Sequence, residues 1–398
     1  MEEVVAKEEQ LGEDSGDKLA FPSICSLKLV NLPKLRSFYS GNLTLECPSL
    51  SDLWRKNCTN MHTFSSRLLI TPKLSNIWAD GKTLKVGESK LTLDYYAKTC
   101  PKFEQIIQET VTAKQLSNPT TAAATLRVFF HDCMVEGCDA SVLISSNSFN
   151  KAERDADINE SLPGDAFDIV IRAKTALELA CPGIVSCADI LALSTRNLVK
   201  MVGGPYYKVR LGRKDGLVSQ ASRVEGNLAR ANMSMSVIID IFKAKGFTIE
   251  EMVALTGGGH TIGFSHCKEF SSRIYNHSKT SETDPGMNPM FAEALRKVCA
   301  NYQKDTAMSA FNDVMTPSKF DNMYFQNLFR GLGLLASDHA LVTDPRTKPI
   351  VELFAKDQNA FFQAFAHSME KVSVVGVKTG RKGEVRNRCD VFNSIKTD

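Results

Sequence analysis

No stretch of this chain stays apolar for the length a bilayer requires, because charge interrupts every hydrophobic run; a membrane span is excluded and a soluble protein is expected. Neither sign of charge prevails. The 48 basic and 45 acidic residues leave a net charge of +3, too balanced to argue for nucleic acid or an anionic membrane as partner. The first thirty residues lack a basic segment followed by an apolar one, so no secretory signal is recognisable there. Tryptophan is absent after Trp78, which removes indole radicals from any redox chemistry downstream. Strict apolar–polar alternation is also scarce: the best instance, 205–213, supports a short hairpin at most. The main body is therefore expected to be mostly α-helical.

What is present is cysteine. Eight of the 11 cysteines (Cys100, Cys133, Cys138, Cys181, Cys187, Cys267, Cys299 and Cys389) are scattered over the region after residue 99, which suits disulfides better than a zinc cluster. Eight cysteines permit 105 pairings, so spacing alone selects none. Disulfides imply an oxidising compartment, in conflict with the missing signal. A hydrophobic share of 43% is enough for a large core. Composition shifts near residue 88: residues 1–88 are leucine-rich and hold Trp54 and Trp78, with Cys25, Cys47 and Cys58, while 89–398 read as one domain. The leucine-rich elements of 1–88 resemble one or two leucine-rich repeats of plant disease-resistance proteins, and a poorly ordered extension is the alternative.

The helical pattern begins with Pro101 in a first turn, followed by Phe103, Ile106, Ile107 and Val111 on one face. Further helices are expected at about 119–132, 166–180, 187–202, 235–245, 264–275, 289–299, 321–331 and 346–370. Gly246 should stop one helix, and Thr248 with Glu251 forms a capping box for the next.

Arg127 and His131 stand four residues apart, so on a helix they share one face. A neutral imidazole beside a permanent cation suits peroxide cleavage: the base moves a proton between the two oxygens and the guanidinium stabilises the charge that develops. Taken alone, such a pair is more often a packing or salt-bridge feature. The flanking residues alter that balance. Asp132, Val135, Gly137, Asp139 and Ser141 offer carboxylate, carbonyl and hydroxyl oxygens that suit calcium.

The segment RVFFHDCMVEGCDAS resembles the distal signature of class III, secretory plant haem peroxidases. The resemblance implies that Arg127 and His131 are the catalytic pair, that Phe130 is the aromatic wall above the haem, and that Asp132, Val135, Gly137, Asp139 and Ser141 hold a distal calcium. In KAERDADIN, Glu153 would link to that calcium site and Asn159 would orient His131. Without the signature, this segment would read as a solvated acidic loop.

MVALTGGGHTIGFSHC resembles the family's proximal motif, with His260 as axial ligand of the haem iron and Thr261 as a ligand of a second calcium. Asp338 in GLLASDHAL would bind the imidazole and strengthen its donation; its ordinary alternative is a helix cap. NDVMTPSKFDN resembles the second calcium loop, with Asp313, Thr316, the carbonyl of Lys319, and Asp321. Two departures stand out. Gly257, Gly258 and Gly259 are three small residues where the family has two, and an extra helical residue rotates the rest of its helix by about 100°. The glycines are expected to absorb it as a bulge, preserving ligation. Ala229 stands where the family usually has a proline at the substrate entrance.

By the same resemblance the disulfides are Cys100–Cys181, Cys133–Cys138, Cys187–Cys389 and Cys267–Cys299. No Cys-x-x-Cys-His occurs, so the haem is expected to be haem b, held without thioethers. The fold implied is the mainly α plant peroxidase fold, with haem between a distal and a proximal half. The function implied is reduction of hydrogen peroxide coupled to one-electron oxidation of small phenols by a monomer outside the cell or in the vacuole. Sequons at Asn232 and Asn276 are compatible with secretion. The competing reading is a fusion with an inactive haem domain and a partner-binding leader.

Overall fold

The computed structural model describes residues 3–5, 18–39, 44–61, 69–70, 76–79, 82–85 and 91–393. The chain divides into two units, Met1–Ser89 and Lys90–Asp398; residues 86–90, where the composition shifts, lie outside the described residues. In the first unit, strands Ser26–Val30, Asp52–Lys56 and Asn76–Ala79 pair in parallel, and Lys82–Lys85 adds antiparallel to the last. Alternation sets their two faces: Leu29 and Leu53 join Leu35, Phe38 and Leu45 in a small core. Register places Lys28, Trp54 and Trp78 in one row on the opposite face, with the two indoles stacked at 4.0 Å.

The second unit is helical, as expected. Its helices are α1 (Phe103–Ser117), α2 (Thr121–Val135), α3 (Gly164–Ala180), α4 (Cys187–Met201), α5 (Met235–Ala244), α6 (Ile249–His260), α7 (Ser271–Ile274), α8 (Pro289–Val298), α9 (Met323–Phe329), α10 (Ala336–Thr343), α11 (Lys348–Lys356) and α12 (Gln358–Val372). Local chemistry explains their ends. Ser186 accepts from the Asp189 N–H to cap α4. Thr248 and Glu251 form the expected reciprocal capping box at α6, and Gly246 ends the preceding turn at φ +84°. Such caps contribute about 1 kcal/mol each. α2 packs against α4, and α6 packs against α12. The core between them is filled by aromatic side chains including Phe129, Phe325, Phe361 and Phe365.

Four expectations need correction. Pro101 lies in a turn ahead of α1, which starts at Phe103. The span 264–275 is not one helix: after Gly263 at φ +83°, Phe264–His266 pairs antiparallel with Ser309–Phe311, and only the short α7 comes after it. The span 346–370 is two helices, because Asp357 leaves helical geometry and caps α12 by accepting from the N–H groups of Asn359 and Ala360. No hairpin forms at 205–213; Leu211 makes a single bridge to Thr92.

All four expected disulfides are present, joining Cys100–Cys181, Cys133–Cys138, Cys187–Cys389 and Cys267–Cys299. Cys25, Cys47 and Cys58 are free. No described helix is long and apolar enough to cross a membrane.

Candidate active site

Helix α2 turns Arg127, Phe130 and His131 toward a cavity of about 530 Å³, and α6 brings His260 to its lining from another element. Each histidine is held by a different polar chain. On the α2 side, His131 Nδ1 lies 2.7 Å from Asn159 Oδ1, and Asn159 Nδ2 donates to the Glu153 carbonyl at 2.8 Å. An amide oxygen facing Nδ1 assigns the proton to that nitrogen, so Nε2 carries the lone pair. Arg127 Nε donates toward Nε2 at 3.4 Å, while its two terminal nitrogens donate to the Ser161 carbonyl and hydroxyl at 3.1 and 2.9 Å.

Burial and, after it, the Arg127 charge pull His131 down to about 3, against the opposing bond to Asn159. The imidazole is therefore neutral at physiological pH. Burial also lowers Arg127, with Glu269 acting against it, and a guanidinium stays charged through such a shift. Phe130 lies against Phe242 with ring centroids 5.9 Å apart. Ala229 lines the cavity, as does the Arg230 beside it, which bonds Asp157 at 2.7 Å.

Across the cavity, His260 Nδ1 lies 3.0 Å from Asp338 Oδ1. Asp338 makes both contacts: its Oδ2 accepts from the Leu335 N–H at the start of α10, while its Oδ1 faces the imidazole. Burial works to raise Asp338, but its electrostatic interaction with His260 and the hydrogen bonds from His260, Leu335 and Tyr324 outweigh it and hold the carboxyl below its usual range. With Nδ1 engaged, Nε2 is the nitrogen left for the cavity.

The expected bulge is absent. Helix α6 runs unbroken through Gly257, Gly258 and Gly259, and the Thr261 N–H bonds the Gly257 carbonyl in ordinary α register. Two glycines are needed for close packing, since a Cβ would lie 2.1 Å from the Phe325 ring at Gly257 and 2.1 Å from the Phe365 ring at Gly258. Gly259, which lines the cavity, would meet nothing within 4 Å.

Of the distal calcium set, Asp132, Asp139, Ser141 and Glu153 are buried together. Ser141 Oγ donates to Glu153 at 2.9 Å, and Asp132 accepts from the Ala140 and Val142 N–H groups. Burial, with repulsion from Asp139, raises Asp132 well above its usual value; burial likewise pushes Glu153 up to about 8. The Val135 carbonyl is turned to Lys245, whose Nζ donates to it at 3.0 Å. Gly137, at φ +130°, abuts the Gly376 backbone so closely that a Cβ would lie 2.4 Å from its carbonyl oxygen.

Of the proximal set, Thr261 Oγ1 donates to the Asp321 carbonyl at 2.7 Å, and Thr316 Oγ1 lies within 3.1 Å of both Asp313 and Asp321. The Lys319 amine pairs with Asp321 at 3.3 Å. Among the described residues, no three His, Cys, Asp or Glu side chains form a ready-made metal cluster.

Sequence reasoning missed two partners. Ser161 fixes Arg127, and Tyr324 donates to Asp338 Oδ1 at 2.7 Å. Neither belongs to a motif that spacing reveals; Tyr324 reaches the site only because α9 packs beside α10.

Residues 106–357 match the family model described as Peroxidase. The chain belongs to the class III plant peroxidase family. It is 64% identical over 305 residues to Peroxidase 41 of Arabidopsis thaliana, covering 77% of this chain and 92% of that relative. Over the same length it is 63% identical to Peroxidase 65 of that plant, covering 77% and 90%. Peroxidase 6 is 61% identical over 310 residues, covering 78% and 94%. The protein is a haem peroxidase that reduces hydrogen peroxide at the expense of a reducing substrate, and nothing in these matches supports the reading of an inactive fusion.

Proposed function

We propose that the cavity between His131 and His260 holds haem b and that its donors are small phenols. The observation that carries this reading is the pair of oppositely anchored histidines on one cavity, which lies within the range of about 300–1,000 Å³ usual for cofactor clefts. The lining also contains His266, whose buried Nδ1 has no hydrogen-bond partner among the described residues and suits a polar edge of a bound group. Bound haem supplies the redox-active iron whose electrons reduce peroxide and are then replaced one at a time by the donor.

The chain's own residues do the rest. His260, through Nε2, would be the iron ligand, with Asp338 holding its other nitrogen. Nε2 of His131 takes a proton from one peroxide oxygen and returns it to the other, which departs as water. Arg127, pinned by Ser161, stabilises the negative charge that builds as the bond breaks. Phe130 would wall the cofactor's cavity, and Ala229 with exposed Phe264 would offer an apolar edge to an aromatic donor.

Calcium at two sites completes the reading. Buried carboxylates of Asp132, Asp139 and Glu153 with the Ser141 hydroxyl, and oxygens of Thr261, Asp313, Thr316 and Asp321, are hard donors suited to that ion. Gly137 would add its carbonyl to the first site and Val135 the carbonyl lone pair that its bond to Lys245 leaves free, and the Lys319 carbonyl would join the second. Four disulfides support an oxidising location outside the cell or in the vacuole, and the chain is read as a monomer. For residues 1–88 we infer a leucine-rich-repeat-like appendage, supported by parallel strands recurring within the repeat range of about 20–29 residues.

The test is reconstitution with haem and calcium, followed by stopped-flow absorbance after one equivalent of peroxide. His131→Ala should bind haem with an unchanged ferric spectrum and react about 10²–10⁴-fold more slowly. An equal rate in that variant would overturn the assignment of the base.

A further inference from the structure

Tyr324 is fully buried, and its hydroxyl donates to the same carboxylate oxygen that faces the imidazole. Asp338 Oδ1 therefore serves two donors: Tyr324 at 2.7 Å and His260 Nδ1 at 3.0 Å. Oδ2 is committed to the Leu335 N–H at 2.9 Å. The phenol is well held. Its ring meets the His260 ring edge-on with centroids 5.7 Å apart and packs at 5.3 Å against Phe325, its neighbour on α9. A hydroxyl 3.4 Å from Nδ1 itself completes a triangle of imidazole, carboxylate and phenol.

A carboxylate oxygen that already accepts a short hydrogen bond is a weaker acceptor for a second one. We propose that Tyr324 is a positioning residue that limits how strongly Asp338 draws on the His260 Nδ1 proton, and so sets the donor strength of Nε2 toward the haem iron. The phenol shares the negative charge of Asp338 and leaves His260 closer to a neutral imidazole than the carboxylate alone would. Tyr324 is the donor of this pair, since a carboxylate oxygen can only accept.

The proposal rests on His260 being the axial ligand, and the experiment separates the two. The full chain, loaded with haem, is compared as wild type, as Tyr324→Phe and with 3-fluorotyrosine inserted at position 324. Fluorination leaves the hydroxyl in place and makes it a stronger donor. The readouts are the ferric–ferrous reduction potential and the iron–histidine stretching frequency of the ferrous protein. Tyr324→Phe should lower the potential and raise the frequency, and fluorination should move both in the opposite direction. Unchanged values in both variants, or shifts of the same sign, would overturn the proposal. If Tyr324→Phe takes up no haem, the fluorinated protein decides alone. Absence of an iron–histidine band in the wild type would instead refute His260 as ligand.

Discussion

His131 shows how far one residue's chemistry is set by its surroundings. Its ordinary value is about 6.5, and burial beside Arg127 brings it to about 3. The rate with peroxide should therefore stay flat from neutral pH down and fall only as pH approaches about 3, where Nε2 becomes protonated. A stopped-flow pH profile that instead breaks near 6 would contradict the neutral, buried imidazole. The same depression gives the sign for stability. The neutral ring contributes fully above the unfolded value of about 6.5, and that contribution is lost as pH falls toward the folded one. The Arg127–His131 spacing was legible because a helix converts four residues into one face. Ser161 and Tyr324 were not, because their partners lie 34 and 14 residues away and meet them only through the fold.

At the scale of elements, caps and periodicity foretold most helices, and the failures share a cause. Asp357 reads as a helix-surface residue until its side chain is seen capping α12. Phe264–His266 looks helical because its strand partner, Ser309–Phe311, is remote in sequence. Helix α6 carries the sharpest case: the glycine run was expected to bulge, whereas packing uses Gly257 and Gly258 to admit Phe325 and Phe365 to the helix surface. Gly258→Ala should therefore destabilise by about 1–3 kcal/mol through overpacking, read as a lowered urea midpoint. Gly259→Ala should instead raise that midpoint by the equivalent of about 0.4–1 kcal/mol, because its added methyl meets nothing within 4 Å and alanine has less unfolded-chain entropy to lose.

Across the whole molecule, the second unit was readable from its motifs, since each of them marks a contact between distant parts of one known architecture. The first unit was less so, because short strands and a small core leave little periodic signal. The long-range bridge Cys187–Cys389, with a sequence separation of 202, ties the start of α4 to the C-terminal segment. On chain-entropy grounds it is worth up to about 5 kcal/mol. Replacing both cysteines by serine should lower the urea midpoint correspondingly while the ferric spectrum of the haem-loaded protein persists at low denaturant.

That separation also sets an order in time. During synthesis Cys133 can meet Cys138 almost as soon as both emerge, but Cys187 must wait for a partner 202 residues further along. At about 5–20 residues per second, the wait is roughly 10–40 s. Throughout it Cys187 stays a thiol close in sequence to Cys181, whose own partner, Cys100, has already been made. Early capture of Cys181 by Cys100 should therefore protect the last bridge from a local mispairing, and a nascent chain lacking Cys100 should be the one most exposed to it.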